Sequence, residues 1–285
     1  MTIRVLHKAD EAIVGAFLAV RLESSIFLQA NLLQSGFTDK EAPYHGTYVG
    51  AFEEGRLIGV AAHYWNGMVI LQAPGCAGPL ARAAVDASPR ALKGIIGPLS
   101  QSLDALKALG ISRDSLATDS PEILYHLRLD DLVVPPERPG QRLAGRVPKA
   151  EELPQLIEWT LDYDQEAMGI KPTPARRELV TANSIRAMET GTRYVLTDKD
   201  ALVAKTGFNA EVPGMVQIGG VWTPPALRGR GYARAAVARH LVTARARGVG
   251  RAILFTGEDN VPAQRAYEAI GFERIGDYAI MFVGD

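Results

Sequence analysis

Apolar residues recur along this chain with two different spacings, and the switching between them predicts its elements. Ala233, Val237 and Leu241 stand four apart with Tyr232, Ala236 and Ala244 beside them, the single apolar face of a helix. Arg245 and Arg247 suit the carbonyl end of that helix, and Gly248 is placed to stop it. In the first half, residues 3–6 read as a strand. Asp10 caps a helical stretch reaching about residue 36, with Ile13, Phe17 and Val20 on one side and a break expected at Ser24-Ser25. Residues 47–52 and 57–65 alternate as strands around a Glu54-Gly55 turn. Asn66-Gly67 signals a hairpin into a strand at 68–72. A tight connection at 73–78, a strand at 93–99, a helix at 101–109 ended by Gly110, and a strand-like run at 123–134 follow.

Residues 133–141 carry three prolines and a glycine, which predicts a domain boundary there, with domains at 1–135 and 141–285. Beyond it come a strand at 142–147, helices at 151–167 and 175–189, and a hairpin of 194–197 with 202–208. A strand at 216–222 feeds the long helix. A strand at 251–255, a helix at 262–270 and one bent or two short strands at 274–283 close the chain. Both halves run strand, helices, hairpin, third strand, glycine turn, strand, helix, final strands. That order predicts an α/β fold of two tandem domains; with no short repeat in the chain, it is at most an old duplication.

A length of 285 residues suits two domains, and 47% hydrophobic with 22% charged residues is ordinary for cores of that size. A formal net charge of −1 argues against nucleic acid or an anionic membrane as the main partner. The one cysteine, Cys76, excludes an internal disulfide and a cysteine-based zinc cluster, and a reducing cytosol is the expected setting. No apolar run suggests a signal peptide or a membrane span, and no His, Asp or Glu grouping has metal-ligand spacing.

The chemistry concentrates where the long helix begins, in TPPALRGRGYA (223–233). Arg228 and Arg230 put positive charge where the helix dipole is already positive, and no side chain immediately ahead caps the free amides. Gly229 and Gly231 let a ligand approach the backbone, so this opening lacks an anion. It is not a dinucleotide fingerprint, because Arg234 stands where the third glycine belongs. It is not a triphosphate loop either, because no Gly-Lys-Ser/Thr follows.

What the turn does fit is R-x-x-G-x-A, as Arg228, Gly231 and Ala233. With IGGVWTPPALRGRGYA (218–233) followed by DNVPAQRAYEAIGF (259–272), the chain resembles the GNAT superfamily of acyl-CoA-dependent N-acetyltransferases. The resemblance covers about residues 141–285, and the first half only by element order. It implies a GNAT-like mixed central sheet with flanking helices. It also implies acetyl-CoA as cosubstrate and acetyl transfer to a primary amine of unidentified, small-molecule kind. The coenzyme diphosphate would lie on backbone amides of Arg228, Gly229, Arg230, Gly231, Tyr232 and Ala233. Its pantetheine arm would lie along Val221, Trp222 and Thr223, in a gap between the strands at 216–223 and 251–256. A backbone N–H near Val221 would face the thioester oxygen.

By the same resemblance Asn260 and Ala263 touch the pantetheine arm, while Asn260 read by itself is a helix cap. Tyr267 is a core tyrosine on its own spacing and a general acid by resemblance. Passing a proton from a phenol near ~10 to a thiol near ~8.5 is uphill, so hydrogen-bond stabilisation of the departing sulfur is the expected role. For the base, Gln217 occupies the strand position where relatives place a glutamate. That leaves Glu258 as the candidate, beside a water relay or an acceptor arriving as free amine. Asp162, Asp164 and Glu166 are solvated helix acids that could draw a cationic amine, and His240 is expected to be structural. The first half has no arginine-glycine helix start, which suggests a structural or substrate-covering role. The competing reading is a non-catalytic acyl-CoA sensor.

Overall fold

The computed structural model describes residues 1–284. Its first elements are β1 (Thr2–Val5), α1 (Glu11–Ala19), α2 (Leu22–Ser35), β2 (Gly46–Glu53), β3 (Arg56–Tyr64), β4 (Met68–Gln72), α3 (Ala77–Asp86), β5 (Gly94–Pro98), α4 (Leu99–Leu109) and β6 (Leu116–Arg128). The remainder are β7 (Leu143–Arg146), α5 (Leu153–Met168), α6 (Pro174–Glu189), β8 (Arg193–Asp198), β9 (Ala201–Val212), β10 (Met215–Trp222), α7 (Tyr232–Ala246), β11 (Arg251–Gly257), α8 (Val261–Glu268) and β12 (Glu273–Val283).

Contacts divide the chain into two compact units after Leu124, earlier than the proline-rich segment, and count residues 256–258 and those from 275 on with the first unit. Within that unit β12 runs antiparallel to β5, Tyr278 opposite Pro98 and Phe282 opposite Gly94. It is one continuous strand. Its alternation buries Ala279 and Met281 in the core beside Ile95 and Leu71.

Strands β1 to β4 pair antiparallel in sequence, and β4 then pairs parallel with β5 across α3. Alternate side chains feed two cores. Val49, Ala61, Val69 and Leu71 meet α3 and α4, whereas Tyr48, Val60, Ala62 and Ile70 meet α1 and α2. The expected helical break lies at Val20-Arg21, between α1 and α2, rather than at Ser24-Ser25. Both serine hydroxyls instead bond back to the Arg21 carbonyl, which lets the helix continue through them. Helix α3 was hidden behind the glycine turn.

The second unit repeats the order: β7 to β10 antiparallel in sequence, then β10 parallel to β11 across α7. Leu143, Leu196 and Ala204 pack on Tyr232, Ala235 and Ala236 of α7. Val195 and Trp222 pack on Leu156 and Trp159 of α5 on the opposite face. His240 of α7 is structural, as its spacing implied: it is 2% exposed, lies flat on Phe208 at 3.7 Å and stacks with Tyr194 at 4.7 Å. Burial, then Arg247 and Arg193, push its pKa down to about 3. The native state therefore holds it neutral while the unfolded chain takes a proton. The stability it allows is complete above pH ~6.5 and is lost as pH falls towards ~3. His240→Phe is expected to flatten that acid limb, seen as urea midpoints that stop falling between pH 6.5 and 4, a difference on the order of 3 kcal/mol.

Candidate acyl-CoA site

Strand β10 ends in Trp222 and passes through Thr223 and two prolines into the turn before α7. Gly229 and Gly231 both have positive φ, 75° and 83°, and Gly231 occupies the cap position with no side chain donating or accepting there. Among the described residues, the amides of 229–234 donate to no protein acceptor, the next one, Ala235, being the first to bond back, to the Gly231 carbonyl. The carbonyls of the turn are tied down instead. Arg138 reaches the Gly229 oxygen at 3.1 Å, and Gln141 reaches that of Arg230 at 3.2 Å. Tyr232 is buried and donates to Asp198 at 2.6 Å, which fixes the first helical turn, with Ala233 half-buried next to it. A run of aligned, unbonded N–H groups with Arg230, Arg234 and Arg138 nearby can hold a diphosphate. Arg228, expected to lend its amide, does not: its backbone N–H donates to the Pro225 carbonyl at 3.2 Å. Its guanidinium folds away, bonding the Thr223 carbonyl at 3.0 Å, pairing with Glu166 at 2.9 Å and lying 4.8 Å over the Trp222 ring.

Strands β10 and β11 pair only over 215–218 with 251–254. Past that point β10 is held by β9 alone, and even there the register slips. Gly219 opposes Gly207 and Trp222 opposes Lys205, three residues against two. The extra residue makes a bulge at Gly220-Val221, with Gly220 at φ 58°. A bulge turns a backbone N–H out of the ladder, and Gly219, Gly220 and Val221 are half-exposed in mid-sheet. The strands part after Ile218 and Leu254, within the segments between which the resemblance implied a gap.

Asn260 caps α8, accepting from the Ala263 amide at 3.3 Å. Tyr267 is buried on the same helix, edge-on to Phe272 at 6.1 Å. Glu258 counts with the first unit, where its amide donates to the Pro121 carbonyl at 3.3 Å and its charge acts on Arg113. Gln217 is buried and donates to the Ile218 carbonyl at 2.6 Å.

The helix acids differ from expectation. Asp164 is buried and paired with Arg176 at 2.7 Å, and Glu166 is paired with Arg228, so neither is free to draw a cationic amine. Two cations went unnoticed in the sequence. Lys205 of β9 is fully buried and donates to Thr160 at 2.9 Å. Burial pushes its pKa well below the usual value, with Arg193 adding to the effect and Asp164 opposing it. Arg193 of β8 is half-buried, and burial lowers its pKa against the pull of Asp164 and Tyr163. The signal for Lys205 was present: a lysine interrupting the apolar run 202–208 with its side chain on the packed face.

Among the described residues no helix is long and apolar enough to cross a membrane, and no group of three or more metal-ligating side chains occurs. Residues 153–272 match the acetyltransferase (GNAT) family. No match was found among the curated proteins. Among solved structures, the chain is similar to a GNAT-family acetyltransferase from Colwellia psychrerythraea. Identity is 17% and TM-score 0.52, with 100% of both chains covered. A tandem GNAT protein from the clavulanic acid biosynthesis pathway is 14% identical at TM-score 0.55, over 99% of this chain and 98% of that one. A GCN5-related N-acetyltransferase from Sphaerobacter thermophilus is 16% identical at TM-score 0.61, over 99% and 94%. At these identities the likeness concerns the fold. With the family match over residues 153–272, which contain the amide-lined turn, the bulge and Tyr267, the second half of this chain carries an acetyltransferase domain of the GNAT family.

Proposed function

We propose that the protein is an N-acetyltransferase that moves an acetyl group from acetyl-CoA directly to a primary amine. The observation that carries this reading is the run of unbonded amides at 229–234, opening beside a strand gap with a glycine bulge. Residues 229–233 would hold the diphosphate. The open side of Val221, Trp222 and Thr223 would pair with the pantetheine arm as an edge strand pairs with a peptide. Asn260 and Ala263 would border that arm.

The amine nitrogen attacks the thioester carbon, the C–S bond breaks, and the sulfur takes up a proton as the amine loses one. The bulge N–H at Val221 would stabilise the carbonyl oxygen as negative charge builds on it. Holding both substrates in one gap supplies much of the remaining acceleration. Gln217 cannot accept a proton, so the amine arrives unprotonated or gives its proton to Glu258. Tyr267 would hydrogen-bond the departing sulfur.

The first unit has a different turn at the matching place. Cys76, Ala77 and Gly78 are buried, the Ala73 amide is taken by Gln101 at 2.6 Å, and no arginine stands in the turn. A structural or acceptor-covering role suits it. The test is thiol release from acetyl-CoA across an amine panel, with the unfolding midpoint followed as CoA is added. Tyr267→Phe is expected to lower kcat about 10- to 100-fold with CoA affinity unchanged within about twofold. Tight CoA binding without turnover of any amine contradicts the transferase and leaves an acyl-CoA-binding protein.

A further inference from the structure

We propose that the acceptor is an amine carrying a carboxylate beside its nitrogen, as a free amino acid does, and that Arg193 is the group that holds this carboxylate. The inference rests on the transferase reading and narrows its acceptor. Arg193 of β8 stands opposite Gly207 of β9, which stands opposite Gly219 of β10. Neither glycine carries a side chain, and although the Asn209 amide lies over Gly219, the guanidinium reaches past Gly207 to Gly220. Its Nη1 is 3.5 Å from where a Cβ on Gly207 would be and 3.2 Å from where one on Gly220 would be. It thus ends at the bulge, one residue from Val221, the N–H assigned to the thioester.

Among the described residues this guanidinium makes no hydrogen bond and no ion pair. The half-buried guanidinium is answered by no protein acceptor, and its planar set of donors is available to a ligand. The surrounding charge has one sign to spare. Asp164 is the carboxylate that acts on Arg193, and it is already bonded to Arg176 through both Nε and Nη2. Lys205 lies in the same cluster, and its full burial disfavours the charged form. The cluster is therefore left with a surplus of positive charge, which an anionic acceptor offsets. A planar guanidinium fork also matches a carboxylate with two parallel bonds.

Gly219, Gly220 and Val221 are half-exposed, and the exposed Asn209 side chain lies over Gly219. In an α-amino acid the nitrogen and the carboxylate share one carbon. A carboxylate seated on Arg193 then leaves the nitrogen beside the bulge, where the thioester carbon is placed.

The test measures thiol release by the full chain saturated with acetyl-CoA. The acceptors are the free α-amino acids and β-alanine, each against its C-terminal amide, with ethanolamine and O-phosphoethanolamine as neutral and dianionic comparisons. At least one free acid is expected to exceed its amide by about 30-fold or more in kcat/KM, with the gap mainly in KM. Arg193→Met is expected to bring the acid down to the amide, and Arg193→Lys to restore part of the gap. Equal turnover of acid and amide overturns the inference, as does a gap that survives in Arg193→Met. Equal losses for acid and amide would assign Arg193 to the thioester instead and also overturn it. So would a preference for O-phosphoethanolamine over every acid. A protein that binds CoA yet acetylates no amine defeats the transferase reading itself, and the inference falls with it.

Discussion

Gly231→Asp is expected to weaken CoA binding at least ~100-fold while the protein stays folded. Gly231 holds φ 83° at the head of α7, and an added Cβ would meet only the Arg234 side chain, at 3.3 Å and 3.6 Å, and Arg138 at 3.8 Å. Flexible arginine ends can move aside. The left-handed conformation costs an aspartate about 1 kcal/mol, and an acid at a helix start returns about 0.3–1 kcal/mol, so the unfolding midpoint should shift by a few degrees at most. The carboxylate would instead occupy or repel from the amides that a diphosphate needs. Each charge-assisted bond lost is worth about 1.5–3 kcal/mol, and two such losses exceed the stated factor. Calorimetric titration of the variant with CoA checks this, and an affinity within about threefold of the parent would count against the diphosphate assignment.

The second large effect separates chemistry from binding. Gly220→Val is expected to lower kcat/KM about 10²- to 10³-fold, the size seen when one oxyanion donor is removed. Gly220 has φ 58°, which a β-branched residue adopts only under strain of about 1–3 kcal/mol. A Cβ there would also press on the Arg193 guanidinium at 3.2 Å. The strand relieves both by shifting the bulge, and the Val221 N–H turns away from the gap. The turn at 229–234 is untouched, so CoA should bind within about fivefold of the parent. Steady-state rates beside CoA titrations make the comparison. Near-parental turnover would mean that the bulge N–H does not face the reacting carbonyl.

The turn could be read from the sequence because each of its parts is a local rule. Two glycines, two arginines and an uncapped helix start are contiguous, and the structure keeps them contiguous. The gap after Ile218 was expected from resemblance, and its cause lies in Gly219 and Gly220, which favour the extra residue and the positive φ. What the sequence hid depends on partners far along the chain. Arg193 and Gly220 meet only because β8, β9 and β10 align two glycines between them. The acids at 164 and 166 looked free because Arg176 and Arg228, which neutralise them, come from other elements. Helix α3 was missed because its first turn, Ala77-Gly78-Pro79, reads as a loop while its burial against α4 holds it helical. The allocation of β12 to the first unit likewise follows from pairing with β5, which no local pattern reveals.

The most direct measurement follows the backbone amides of residues 229–234 in nitrogen–proton correlation spectra as CoA, or pantetheine without the diphosphate, is added. These amides should move strongly with CoA and stay nearly still with pantetheine. Saturation of the protein by CoA with those six resonances unmoved would contradict the account.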